Sequence, residues 1–114
     1  MTPPRTYVDY LRDIVQGATY AESFVADVDL ASFRSNTEKI YAVTRALEII
    51  GEAARQVPLA VQAAYPDLPW QEMIGMRNVV IHQYFGVDSE VLWRTVHEDL
   101  PPLRSAISSL LAGL

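Results

Sequence analysis

The chain has 114 residues, a net charge of −5 and half its residues hydrophobic, which suits one soluble domain spanning 1–114 that buries roughly two-thirds of its unfolded surface. The absence of cysteine excludes disulfides, thiolate metal sites and cysteine nucleophiles, and the acidic balance argues against broad, non-specific binding to duplex phosphates. No apolar run follows Arg5, and none approaches the ~20 residues that span a bilayer, so a cytoplasmic location without membrane association is expected.

In chain order, apolar residues recur at helical spacing in long windows, and no window alternates strictly. The first helix is expected from Thr6 to about Val25, with Tyr7, Leu11, Ile14, Ala18, Ala21 and Val25 inward. The second is expected from about Ser32 to Val57, with Phe33, Ile40, Val43, Leu47, Ile50 and Ala54 inward, and Pro58 marking the break. A short helical segment, Leu59 to Ala64, leads into the turn Tyr65-Pro66-Asp67-Leu68-Pro69. The next helix begins near Pro69 or Trp70, since proline suits a first turn, and closes around Phe85-Gly86. The last begins after Asp88 or Ser89, either of which can cap it. Pro101-Pro102 is expected to break or kink that segment, because each proline removes a backbone donor. Short connections between amphipathic helices predict an all-α, up-and-down bundle of four to five helices.

The chemistry-bearing stretch is Gly75-Met76-Arg77-Asn78-Val79-Val80-Ile81-His82-Gln83-Tyr84-Phe85. With about 100° per residue, Ile74, Val80, Ile81 and Phe85 mark one apolar sector and Arg77 projects into its middle. A guanidinium there needs a carboxylate, a subunit interface or a ligand. Asn78 and His82 share a stripe four residues apart, and Arg77 and Tyr84 align seven apart, so the four are expected to converge on one side. Plainer readings stand beside this one. Arg77 could pair with Glu48 or Glu52, although those carboxylates read better as a solvated face with Arg45 and Arg55. His82 could be structural, and Tyr84 a core residue with its hydroxyl at the rim. His97 reads as exposed and structural, while Trp70, Trp93, Met73 and Met76 read as packing.

The spacing Arg77-x-x-x-x-His82-x-Tyr84, on the penultimate long helix of a small helical chain, resembles the HepT family of HEPN domains. Asn78 directly follows the arginine, as HEPN motifs often have it. Ile49-Ile50-Gly51-Glu52-Ala53-Ala54, the approach Pro69-Trp70 into Ile74-Gly75-Met76, and the close Tyr84-Phe85-Gly86-Val87-Asp88 with Trp93 and Asp99-Leu100-Pro101 extend the likeness over nearly the whole chain. Gln83, where an acidic residue is expected, and Pro102 are the main local departures.

The resemblance implies a homodimeric HEPN bundle acting as a metal-independent endoribonuclease with no cofactor. The motif helices of two protomers would face one shared cleft. His82 would then serve as general base or acid on the ribose 2′-hydroxyl or the leaving oxygen. Arg77 would hold the scissile phosphate, and Asn78 would position His82 or the phosphate. It also implies the toxin role in a type VII HepT/MntA toxin–antitoxin system. There an MntA-like nucleotidyltransferase antitoxin transfers AMP to Tyr84, adding bulk and negative charge beside Arg77. The competing reading is a non-catalytic HEPN module that presents a nucleotide- or partner-binding surface to a nucleotidyltransferase.

Overall fold

The computed structural model describes residues 4–82 and 88–114, with side chains described for 4–77 and 88–114. Helix α1 spans Tyr7–Val25, α2 Leu30–Arg34, α3 Thr37–Gln56, α4 Leu59–Ala64, α5 Trp70–His82, α6 Ser89–Arg94 and α7 Leu100–Ala112, with a π-helical turn at Thr95–Asp99. No strand occurs among the described residues. The long helices α1, α3 and α5 and the composite α6–π–α7 segment make the bundle, and α2 and α4 serve as connectors. The described residues are all-α, as expected. The expected end of the fifth helix near Phe85-Gly86 lies outside the described residues.

Local chemistry sets the helix starts. Asp9 reaches back to accept from the Thr6 N–H at 2.8 Å, and that bond holds its carboxyl below the usual range. Asp29 caps α2 by accepting from the Ser32 N–H at 2.8 Å, and is held low for the same reason. Asp88 accepts from the Glu90 and Val91 N–H groups at 3.0 and 3.3 Å, which starts α6. Between α1 and α2 the chain turns through Asp27, whose φ of 59° is left-handed, a region that aspartate tolerates better than most side chains.

Two sequence expectations need correction. The single helix expected from Ser32 to Val57 is two helices. Asn36 leaves helical geometry at φ −112° and ψ 89°, and its side-chain oxygen accepts from the Lys39 N–H at 3.0 Å. A local bond from an asparagine competes with helix continuation, and here it opens α3 as a new helix. Pro101-Pro102 does not break the last segment, and the disturbance expected there appears as the π-helical turn just before the prolines. Both prolines sit in the first turn of α7, and the wider turn before them closes with the Leu100 N–H on the Thr95 carbonyl. The expanded turn accommodates the ring clash and the missing donors that prolines would bring to a regular helix interior.

Helix α3 is the hub, packing against both α1 and α5, while α7 lies against α1. α1 and α3 run antiparallel, since Gly17 meets Ala46 and Ile50, and Lys39 Nζ donates to the Phe24 carbonyl at 2.8 Å. Leu11, Ile14, Ala18, Ala21 and Val25 of α1 are buried against Val43, Leu47, Ile50 and Ala54 of α3, with Tyr7 and Ile40 at the margin. Arg104 grips Glu22 through two bonds of 2.6 and 3.2 Å, tying α7 to α1. Glu22 thereby raises the Arg104 pKa above its usual value. The Trp93 indole donates to the Val28 carbonyl at 2.9 Å, and Arg34 pairs with Glu90 at 3.2 Å, so α6 docks on the α1–α2 corner.

Adjacent isoleucines test this register. Ile50 is fully buried and Ile49 is 37% exposed. Ile50→Ala should lower unfolding free energy by about 2–5 kcal/mol through lost burial and the cavity left behind, while Ile49→Ala should cost under about 1 kcal/mol. Urea denaturation of the two variants makes the comparison, and equal losses would show that the α3 register is wrong.

Candidate active site

Arg77 stands where the α5 backbone lies against Gly51 of α3. A Cβ built on Gly51 would lie 2.8 Å from the Arg77 backbone nitrogen, 2.9 Å from its Cβ and 3.2 Å from the Ile74 carbonyl oxygen. Only a glycine on α3 lets the α5 backbone approach this closely. From that contact the Arg77 side chain runs along α3 and its Nη1 meets Glu52 Oε2 at 3.2 Å. The Arg77 side chain is 46% exposed.

The inward face of α5 is set by Trp70, Met73 and Met76, all buried, and Ile74 is only partly covered. Arg77 follows Trp70 by seven residues and Met73 by four, so it starts from that same face at the α3–α5 seam and carries its charge outward. The side chains of Val80, Ile81 and Phe85, which the expected apolar sector also used, lie outside the described residues. The carboxylate pairing weighed for it is the one observed, through Glu52. The packing reading of Trp70, Met73 and Met76 holds. Trp93 is partly buried against the core, and His97 is exposed with its ring 4.2 Å from the Trp93 ring.

Glu52 is a shared anion. Arg55 Nη2 binds its Oε1 at 2.6 Å, Gln56 Nε2 donates to the same oxygen at 3.3 Å, and Arg77 holds the other oxygen. The hydrogen bonds from Arg55 and then Gln56 hold the Glu52 carboxyl below the usual carboxylate range, with the charges of Arg55 and Arg77 adding to them against partial desolvation. Glu52 in turn raises Arg55. The Arg55 contact is the shorter, so Glu52 keeps a cation when Arg77 turns away. An exposed pair of this kind is weakly held and screened by salt. Arg77 is thus positioned by the backbone contact at Gly51 and only lightly engaged through its charge.

Asn78 and His82 occupy the following turns of α5, so the helix carries both beyond Arg77. Their side chains, and the whole of Tyr84, lie outside the described residues. Among the described residues, no group of three or more His, Asp or Glu side chains could hold a metal ion, and no helix is long and apolar enough to cross a membrane.

The profile of the family described as "Ribonuclease HepT-like" matches residues 14–110. The chain belongs to the HepT-like family. It is 42% identical over 106 residues to a Thermococcus cleftensis protein named "Probable ribonuclease HepT", covering 93% of this chain and 96% of that one. A Methanocaldococcus jannaschii protein that bears a provisional name as an RNase is 43% identical over 98 residues, covering 86% and 90%. A third, from Caldanaerobacter subterraneus and provisionally named in the same way, is 32% identical over 111 residues, covering 97% and 96%. No solved structure matches the chain.

The residue that sequence reasoning missed in this HepT-like site is Gly51. Its signal was a glycine in the middle of a long amphipathic helix, next to a charged residue, where alanine would serve the helix better. Two glycines near Arg77 give opposite expectations. Gly51→Ala should destabilise the protein by about 1–3 kcal/mol, because the added methyl meets backbone that cannot move cheaply. Gly75→Ala should stabilise it by roughly 0.5–1 kcal/mol, since a Cβ there meets nothing within 4 Å and the helix gains from losing glycine. Thermal melts of both variants check this, and a stable Gly51→Ala protein would remove the close approach from the account.

Proposed function

We propose that the chain is a metal-independent endoribonuclease and the toxin of a HepT/MntA-type toxin–antitoxin pair, working as a homodimer. The observation that carries the proposal is the family match over residues 14–110, joined to an arginine fixed at its backbone and lightly held at its charge. The relatives' names support RNA as the substrate class.

In this mechanism Arg77 leaves Glu52 to take the scissile phosphate, and Arg55 and Gln56 keep Glu52 from being left unpaired. His82 withdraws the proton of the ribose 2′-hydroxyl as its oxygen attacks phosphorus. The symmetry-related His82 protonates the departing 5′-oxygen, so one histidine acts as base and the other as acid. Arg77 stabilises the extra negative charge on the phosphoryl oxygens in the transition state, and Asn78 orients His82 or the phosphate. A chain of this size encloses no long cleft by itself, and apposing two α5 helices supplies one. The overall charge of −5 disfavours capture of long duplexes and leaves recognition to this local cationic site.

The partner is an MntA-like nucleotidyltransferase. In the silencing step the Tyr84 hydroxyl oxygen attacks the α-phosphorus of ATP, loses its proton and expels pyrophosphate, which leaves AMP as a phosphodiester on the ring. The added anion competes with RNA for Arg77.

His82→Ala should lower RNA cleavage by about 10²–10⁴-fold, and Arg77→Ala by about 10²–10³-fold. Both should keep parent helicity and a dimer mass by light scattering. A chelator should leave the parent rate unchanged. Undiminished cleavage by His82→Ala would refute the catalytic assignment, and no cleavage by the parent would favour the non-catalytic module.

For the silencing step, intact-mass spectrometry after incubation with the nucleotidyltransferase and ATP should show one or more AMP additions to the parent and none to Tyr84→Phe. RNA cleavage by the parent should fall in parallel. Equal addition to both proteins would place the acceptor elsewhere.

A further inference from the structure

A cavity of about 680 Å³ opens on the flank of α5 away from α3. The α4–α5 turn, α5, the π-helical turn and the start of α7 form its walls. Its apolar floor is Leu68, Met76, Pro102, Leu103 and Ala106. Helix α5 is packed on α3 and α7 on α1, and the two make no extensive contact with each other across this gap. The bundle is left open on one side.

Three features of the opening bear on what it holds, and two of them, the glycine and the free carboxylates, have no explanation inside the chain. Gly75 lines it in the middle of α5, and a Cβ there would meet nothing within 4 Å. A glycine is unfavourable in a helix interior, and no neighbour in the fold demands this one. Next, the expanded turn Thr95–Asp99 places Thr95, Glu98 and Asp99 on the rim, and such turns are frequent at functional sites. Finally, Asp67, Glu72, Glu98 and Asp99 ring the opening, and none of them joins the ion pairs found among the described residues. Elsewhere the arginines neutralise Asp13, Glu22, Glu48, Glu52 and Glu90.

An apolar floor inside a ring of unneutralised carboxylates selects an occupant that is apolar at its centre and cationic at its edges. RNA is the wrong sign. A bare metal ion does not use an apolar floor, and no group on the described residues could hold one. A second copy of this chain would bring a net charge of −5 to an acidic rim. We propose that this groove docks an amphipathic segment of a partner protein, with aliphatic side chains over Met76 and Leu103, arginines or lysines against the four carboxylates, and backbone passing close over Gly75. The inference does not depend on RNA cleavage, because Arg77 turns toward α3 and not into this groove.

The probe is a labelled helical peptide with leucines at i, i+3, i+4 and i+7 and arginines flanking them, together with its glutamate-for-arginine counterpart. Fluorescence anisotropy should show saturable binding of the arginine peptide to the parent, weakening as salt rises, and none of the glutamate peptide. Gly75→Leu fills the groove, and the double variant Glu72→Gln/Glu98→Gln strips half its charge. Each should weaken binding by about tenfold or more, whereas Glu38→Gln, on the first turn of α3, should leave it unchanged. The double variant alters no packing, so it keeps the test alive if Gly75→Leu folds poorly. Binding that ignores both groove changes, or that Glu38→Gln weakens equally, overturns the proposal. So does light scattering in which Gly75→Leu dissociates a dimer, which would give the groove to a second copy. An RNA oligonucleotide that competes with the peptide at the groove would also overturn it.

Discussion

One turn of α3 sets the spacing of the whole bundle. Ile50 and Gly51 are neighbours in sequence, and each meets a different helix. Ile50 presses toward Gly17, where a Cβ would stand only 3.0 Å from its Cγ1. Gly51 receives the Arg77 backbone at a distance that no side chain tolerates. A large residue set against a glycine on one side, and a glycine set against a helix backbone on the other, leave little slack along the line α1–α3–α5. Any change in how α3 seats on α1 is passed to the position of Arg77 through adjacent residues of one rigid element.

The charge at the site is more forgiving than its backbone. Arg77 shares Glu52 with Arg55 and Gln56, and its own contact is longer than that of Arg55. Glu52 stays ionised whether or not Arg77 remains, because Arg55 and Gln56 contribute first to holding it below the usual range. The folded state gains from that carboxylate above the ordinary carboxyl range and loses the gain as pH falls through the lowered value. Rigid placement of the Cα with loose retention of the guanidinium suits the phosphate-binding role proposed for Arg77. It must be in place before the anion arrives and must have little to give up when it does.

Much of this was legible in the sequence because helical periodicity reports burial directly. The inner faces read for α1 and α3 are the buried ones, the segment Leu59 to Ala64 is a helix at those bounds, and α6 starts from Asp88. The errors fell where a local interaction competes with periodicity. Phe33 and Ile40 are seven apart and so keep helical phase across the polar run Arg34 to Lys39, which hides the break at Asn36, whose side chain satisfies the Lys39 N–H and restarts the helix. Pro101 and Pro102 look like breakers in a linear reading, and only the expanded turn before them makes them first-turn residues. The half-exposure of Arg77 was not legible, because helical spacing puts it on the face of Trp70 and Met73 and says nothing of how far a long side chain reaches out of that face. The counter-ion could not be chosen from sequence, since Glu48 and Glu52 share a face of α3 and only the approach at Gly51 selects Glu52.

Lys39 is the chain's single lysine, and its ammonium sits on the Phe24 carbonyl at the end of α1. There it satisfies one of the acceptors that a helix C-terminus leaves open and supplies positive charge at the negative end of the dipole. Every other cationic side chain is an arginine. Acylating reagents and lysine-modifying enzymes therefore find no other side-chain amine on this protein. Acylation at Lys39 would discharge the α1 terminus and release the joint between α1 and α3. In this molecule a modification that usually decorates a surface would act as a structural lesion.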